Sequence, residues 1–72
     1  MQIADDELDK TLNKIINELP ERQKSVLLLH KVDGLKYNEI SERMNISKNT
    51  IENHMSRALK TIRQKLGIIY VH

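Results

Sequence analysis

Ile51, Met55, Ala58, Leu59, Ile62 and Leu66 recur at three- and four-residue intervals toward the end of the chain. That period admits one local structure, a long amphipathic helix whose apolar stripe other elements must cover. The spacing predicts this helix over residues 48–65, with Gly67 as the stop past its last turn. A chain of 72 residues with 39% hydrophobic and 31% charged side chains, and two tyrosines as its only aromatics, has the composition of a solvated helical domain. Sandwiches need more β-branched and aromatic strand residues than this. The expected fold class is all-α, built as one domain over residues 1–72.

Three shorter helices precede the long one. Leu8, Leu12, Ile15 or Ile16 and Leu19 mark one face of a helix over about 5–18, whose first turn carries acids suited to its positive end. Pro20 ends it, because proline disfavours helical geometry at Leu19, and the same ring suits the opening of a second helix over about 21–32. There Val26, Leu27, Leu28, Leu29 and Val32 cover more than half the circumference, which predicts a central helix with neighbours on several sides. Asp33-Gly34 is a turn signal, and Ile40 and Met44 lie on a short helix over about 37–44. In Asn45-Ile46-Ser47, Asn45 can take the left-handed backbone a sharp turn needs and Ser47 can cap the long helix. The apolar tail Ile68-Ile69-Tyr70-Val71 is too short for a sheet and is expected to fold back or stay disordered.

Several chemistries are not expected. Without cysteine there is neither a disulfide nor a zinc–thiolate site, and His30, His54 and His72 form no i, i+4 pair that would seat a metal. At this size the core contributes only ~3–5 kcal/mol, so few apolar side chains are left for a ligand pocket. No enzyme activity, catalytic residue, cofactor or small-molecule ligand is expected. No apolar run is long enough to cross a membrane and the acidic start is unlike a secretory signal, so a cytoplasmic protein is expected. Asp5, Asp6 and Asp9 read as helix N-terminal charges. His30 reads as a satisfied core-edge side chain, His54 as a structural or phosphate-facing group, and Tyr37 as a packing residue with a wet hydroxyl.

Charge is distributed unevenly. Residues 1–36 carry six basic and seven acidic groups, whereas residues 37–72 carry six basic and three acidic. On the long helix Lys48, Arg57, Lys60, Arg63 and Lys65 oppose only Glu52, a surplus of +4 that suits phosphate. Opposite the apolar stripe stand Asn49, Glu52, Asn53, Ser56, Arg57 and Lys60. These types suit base edges: Asn53 can pair with adenine, Arg57 can grip guanine, Glu52 can accept from cytosine, and Ser56 permits close approach. A short helix, a tight turn and a longer helix form a helix-turn-helix, which offers its second helix to the major groove.

Leu19-Pro20-Glu21-Arg22-Gln23, Val26-Leu27-Leu28-Leu29, the stretch from Asp33 to Ser41, the stretch from Ile46 to His54, and Ser56-Arg57-Ala58-Leu59-Lys60 stand in a characteristic order. Together they resemble region 4 of a bacterial RNA polymerase sigma factor of the extracytoplasmic-function type, over about residues 8–66. The resemblance implies a four-helix domain with a C-terminal helix-turn-helix, of the winged-helix-like or region 4 type. Such a domain binds double-stranded promoter DNA at the −35 element, and a surface of its other helices holds the flap of the polymerase β subunit. By family position Glu52, Asn53, Ser56 and Arg57, with Asn49 beside them, would meet bases, and Lys48, Thr50 and Lys60 would meet phosphates. Leu27, Leu28, Val32 and Leu35 would form the shallow apolar patch facing the polymerase, and an anti-sigma factor is a further expected partner. Ser41 and Asn45 stand where alanine and glycine are usual, and Glu52 where many relatives have a basic residue. Nothing resembles region 2, so the chain is expected to be one domain of a longer factor, or a truncated one.

Two other readings stay open on the residues alone. The DNA-binding domain of two-component and quorum-sensing regulators, which dimerises on palindromes, has a similar recognition helix and a Lys-Leu-Gly end like Lys65-Leu66-Gly67, but usually lacks a leader such as residues 8–19. A helical protein-interaction module would instead dock its basic helix on an acidic partner.

Overall fold

The computed structural model describes residues 2–67, with side chains from residue 9 onward. Four helices follow one another: α1 (Gln2–Asn17), α2 (Glu21–Lys31), α3 (Tyr37–Met44) and α4 (Lys48–Leu66). The α3 limits are those expected from the sequence. Helix α1 begins three residues earlier and ends one earlier than expected, α2 ends one earlier, and α4 runs one residue longer. The tail 68–72 lies outside the described residues.

Each junction has a local cause. At the end of α1 the Glu18 and Leu19 amides donate to Ile15 and Ile16 carbonyls at 3.1 Å, a tightened last turn before the proline. Pro20 then takes extended geometry (φ −54°, ψ 147°) at the N-cap of α2, and its carbonyl accepts the Lys24 amide at 2.9 Å. Past α2, Gly34 adopts φ 73°, and the Leu35 amide turns back to the Leu29 carbonyl at 3.0 Å. Helix α3 opens with the Lys36 amide donating to Glu39 Oε1 at 2.7 Å.

The α3–α4 turn is the sharpest of these junctions. Asn45 is left-handed (φ 58°, ψ 43°), the only non-glycine residue with positive φ among those described. The Ile46 amide donates to the Ser41 carbonyl at 3.2 Å, the six-to-one bond of a Schellman turn. The Ser41 hydroxyl also donates to the Ile46 carbonyl, so one residue of α3 grips both polar groups of Ile46. Ser41, the departure from the usual alanine, thus has a bonding role.

Ile15, Leu19, Val26, Leu27, Ile40, Ile51, Met55, Ala58 and Ile62 form the buried core, and Ile40, Ile51 and Val26 are its largest wholly enclosed side chains. No polar residue is buried among those described. The central helix is α4, which packs against α1, α2 and α3, whereas the sequence pointed to α2. At 19 residues α4 is about 28 Å long, the longest of the four helices. Helix α2 buries Val26 and Leu27 but leaves Leu28 half-buried and Val32 72% exposed.

Replacing Asn45 by valine should destabilise the domain by about 1–2 kcal/mol, because a β-branched residue resists the left-handed region, while Asn45→Gly should be harmless. Chemical denaturation of the three proteins checks this, and a valine variant as stable as the parent would contradict it. Ser41→Ala removes one hydrogen bond across the same turn and should cost about 0.5–1.5 kcal/mol by the same measurement.

Candidate nucleic-acid interface

Ser47 begins the site. In extended geometry (φ −69°, ψ 155°) its Oγ accepts the Thr50 amide at 3.1 Å and lies 2.8 Å from Thr50 Oγ1. This cap fixes where α4 starts and hence the phase of its faces. The first turn of α4 contains no acid, so Lys48 adds to the positive end of the helix dipole, with Glu52 one turn further on as the first acid of the helix.

Burial of Ile51, Met55, Ala58 and Ile62 turns one side of α4 inward. At about 100° per residue the opposite side is centred on Asn49, Asn53 and Lys60, flanked by Glu52 and Ser56 on one edge and Arg57 on the other. Lys48, Asn49, Glu52, Asn53, Ser56, Arg57 and Lys60 are all exposed. Every base-facing residue expected from the sequence therefore lies on one continuous outward surface. Thr50 differs: it is half-buried, and its amide and hydroxyl both engage the Ser47 cap. Lys65, counted in the basic surplus, sits 3.8 Å from Glu18 of α1, which lowers the free charge at the far end of α4. His54 is half-buried on the edge leading back toward the core.

Sequence reasoning did not bring Tyr37 or Arg63 to this surface. They line, with Glu52, Met55, Ser56 and Leu59, an open cleft of about 360 Å³ alongside the reading face. Tyr37 is placed there by His30, whose Nδ1 is 2.9 Å from the Leu35 carbonyl and whose ring meets the Tyr37 ring edge-on, centroids 5.1 Å apart. No spacing rule signals a contact between the last turn of α2 and the start of α3 across an intervening left-handed glycine.

On the far side of α4 a second concavity opens between α1, α2 and α4. It is an apolar groove of about 390 Å³ lined by Leu12, Ile16, Leu27, Leu28, Val32, Leu59 and Ile62, with Lys31 at its border. Of the four residues expected to form a partner patch, Leu28 and Val32 line it at the surface. The other two are placed differently from the exposed patch expected. Leu27 is only 3% exposed and forms the floor, because its side of α2 faces the core. Leu35 is not among the groove residues; it packs against the core beyond the Gly34 turn.

Among the described residues no helix is long and apolar enough to cross a membrane. No solved structure matches the chain. The family model described as "Sigma-70, region 4" matches residues 9–62. The chain is 36% identical over 58 residues to RNA polymerase sigma factor SigV of Bacillus subtilis (strain 168), covering 81% of this chain and 35% of that protein. It is 33% identical over 66 residues to RNA polymerase sigma factor FliA of Escherichia coli (strain K12), covering 92% of this chain and 28% of that one. The chain thus spans about a third of the length of the curated relatives it matches. The four-helix order, the capped turn into α4 and the match over residues 9–62 agree: the chain belongs to the sigma-70 region 4 family, consistent with the extracytoplasmic-function type, and as a sigma factor domain it is not an enzyme.

Proposed function

We propose that this domain recognises double-stranded promoter DNA at the −35 element and thereby helps direct RNA polymerase to its start sites. The observation that carries the reading is the outward surface of α4, where Asn49, Glu52, Asn53, Ser56 and Arg57 stand exposed beyond a capped, sharply turned helix start. In the major groove Arg57 would hold a guanine edge and Asn53 an adenine edge, with Glu52 accepting from cytosine and Ser56 allowing close approach. Lys48, Lys60 and the free amides at the start of α4 would take phosphates, with Thr50 contributing through the cap it shares with Ser47.

The apolar groove supports the second half of the proposal. Its border of Leu28, Val32 and Lys31 suits an amphipathic helix, and the β-flap of the polymerase core is the partner proposed for it. An anti-sigma factor would act by covering either surface. A lone domain neutralises few phosphates, so binding to free DNA is expected to be weak and nearly non-specific at physiological salt, gaining selectivity once the flap holds it beside the duplex.

Selection of bound sequences from a random duplex pool, with the domain tethered to polymerase, tests the reading directly. An enriched motif is expected, and binding to a flap-helix peptide should be lost on Leu28→Asp. Tight, selective binding by the free domain as a symmetric dimer, with no affinity for the flap, would instead establish the regulator-type alternative. Within the motif, Arg57→Ala should cost ~1–3 kcal/mol and relax preference at one base position. Equal loss on all sequences would reassign Arg57 to a phosphate. Lys48→Ala and Lys60→Ala should each weaken binding on every sequence and reduce the slope of log affinity against log salt by about 0.9. Titrations at several salt concentrations read this out.

A further inference from the structure

Ser56 is the smallest of the side chains proposed to meet bases, and the cleft of about 360 Å³ opens beside it. At about 100° per residue Glu52, Ser56, Leu59 and Arg63 fall within about 60° of one another, so they form one edge of the outward face of α4. Tyr37 makes the opposite wall, its ring held edge-on by His30 with centroids 5.1 Å apart. Half-buried Leu59 makes the floor, and Met55 closes it from beneath at 3% exposure. The ends are charged, with Glu52 at one and Arg63, about three helical turns on, at the other. Both are exposed, and among the described residues neither forms an ion pair.

We infer that this cleft receives the 5-methyl group of a thymine, which makes Leu59 and Tyr37 specificity-determining residues; the inference rests on the promoter recognition proposed above. Charge selects the part of a duplex that can enter. The unpaired Glu52 carboxylate repels a phosphate from its end of the cleft, while Arg63 attracts one at the far end, so the strand is oriented with an uncharged base edge toward Ser56. Polarity then selects the base. In the major groove thymine alone presents a methyl group, and its usual counterpart is an apolar surface. Asn49, Glu52, Asn53 and Arg57 have hydrogen-bonding partners among base edges, whereas the Leu59 side chain and the Tyr37 ring offer a methyl group the van der Waals contact it needs. From Met55 to Leu59 is about 6 Å of helix, room for one such group, so one base position should respond. Ser56 takes part by being short, because a longer side chain there would close the mouth.

The test removes or adds the methyl group in the DNA and so needs no altered protein. The 72-residue chain, tethered to polymerase as in the selection above, is titrated with its preferred duplex and with duplexes in which each thymine in turn is deoxyuridine. One replacement should weaken binding about fourfold, the factor expected for withdrawing one buried methyl-sized group, and the others should change it little. At the same position 5-methylcytosine should bind more tightly than cytosine by a similar factor, since that pair too differs only in the methyl group. Leu59→Gln places an amide in the floor and should abolish both differences, with unchanged helical circular dichroism verifying that the domain stays folded. A preferred motif in which no thymine responds to loss of its methyl group overturns the inference and leaves promoter recognition standing. So does a response that survives Leu59→Gln, which would place the methyl group against another part of the face. A selection that enriches no motif overturns the promoter reading itself, and the assignment of the cleft with it.

Discussion

Burial of one stripe on α4 determines nearly everything else in this domain. Ile51, Met55, Ala58 and Ile62 are the surfaces on which α1, α2 and α3 assemble, and among the described residues the other three helices and the α1–α2 junction contribute Ile15, Leu19, Val26, Leu27 and Ile40 as buried partners. Because a helix is rigid and its side chains are fixed in angle, burying one face dictates which residues point the other way. The exposed row from Asn49 to Lys60 is therefore a product of core packing as much as of its own sequence. A loop could carry the same side chains, but a packed helix delivers them with their relative positions already fixed, and less ordering remains to be paid at binding.

The α3–α4 turn converts that row into something a duplex can meet. Its direction depends on a left-handed residue, and asparagine tolerates this conformation better than most side chains because its short polar group bonds locally. The structure adds a restraint independent of that tolerance, the paired hydrogen bonds between Ser41 and Ile46. A glycine in place of Asn45 would meet the backbone demand with more freedom in the unfolded chain. Asparagine with Ser41 meets the same demand with a turn tied at two points.

Where the residues carried phase information, the fold was legible. Isolated apolar residues at three- and four-residue spacing defined the buried side of α4, and turn residues with one physical purpose, such as Asn45, Ser47 and Gly67, marked its limits. The sequence misled where phase was absent. Val26-Leu27-Leu28-Leu29 is apolar all round, so it could not reveal that Leu27 faces inward while Leu28 borders a groove, nor that α2 is less central than α4. The site was legible to the same extent: exposure of Asn49, Glu52, Asn53, Ser56, Arg57 and Lys60 follows from the wheel. The engagement of Thr50 in the cap, the Glu18–Lys65 contact and the approach of Tyr37 depend on tertiary or side-chain geometry that no local spacing encodes.

The two concavities share a wall. Leu59 lines both the cleft beside the reading face and the apolar groove behind it, so a partner seated in the groove touches the same rigid helix that presents Asn53 and Arg57. No conformational change is needed for one surface to influence the other. On the function proposed above, a protein held in the groove would fix the position and axis of α4, and its outward face would then meet the duplex as an intramolecular event at high effective concentration. Weak contacts at each surface would then become selective when made together, an arrangement that suits a small domain.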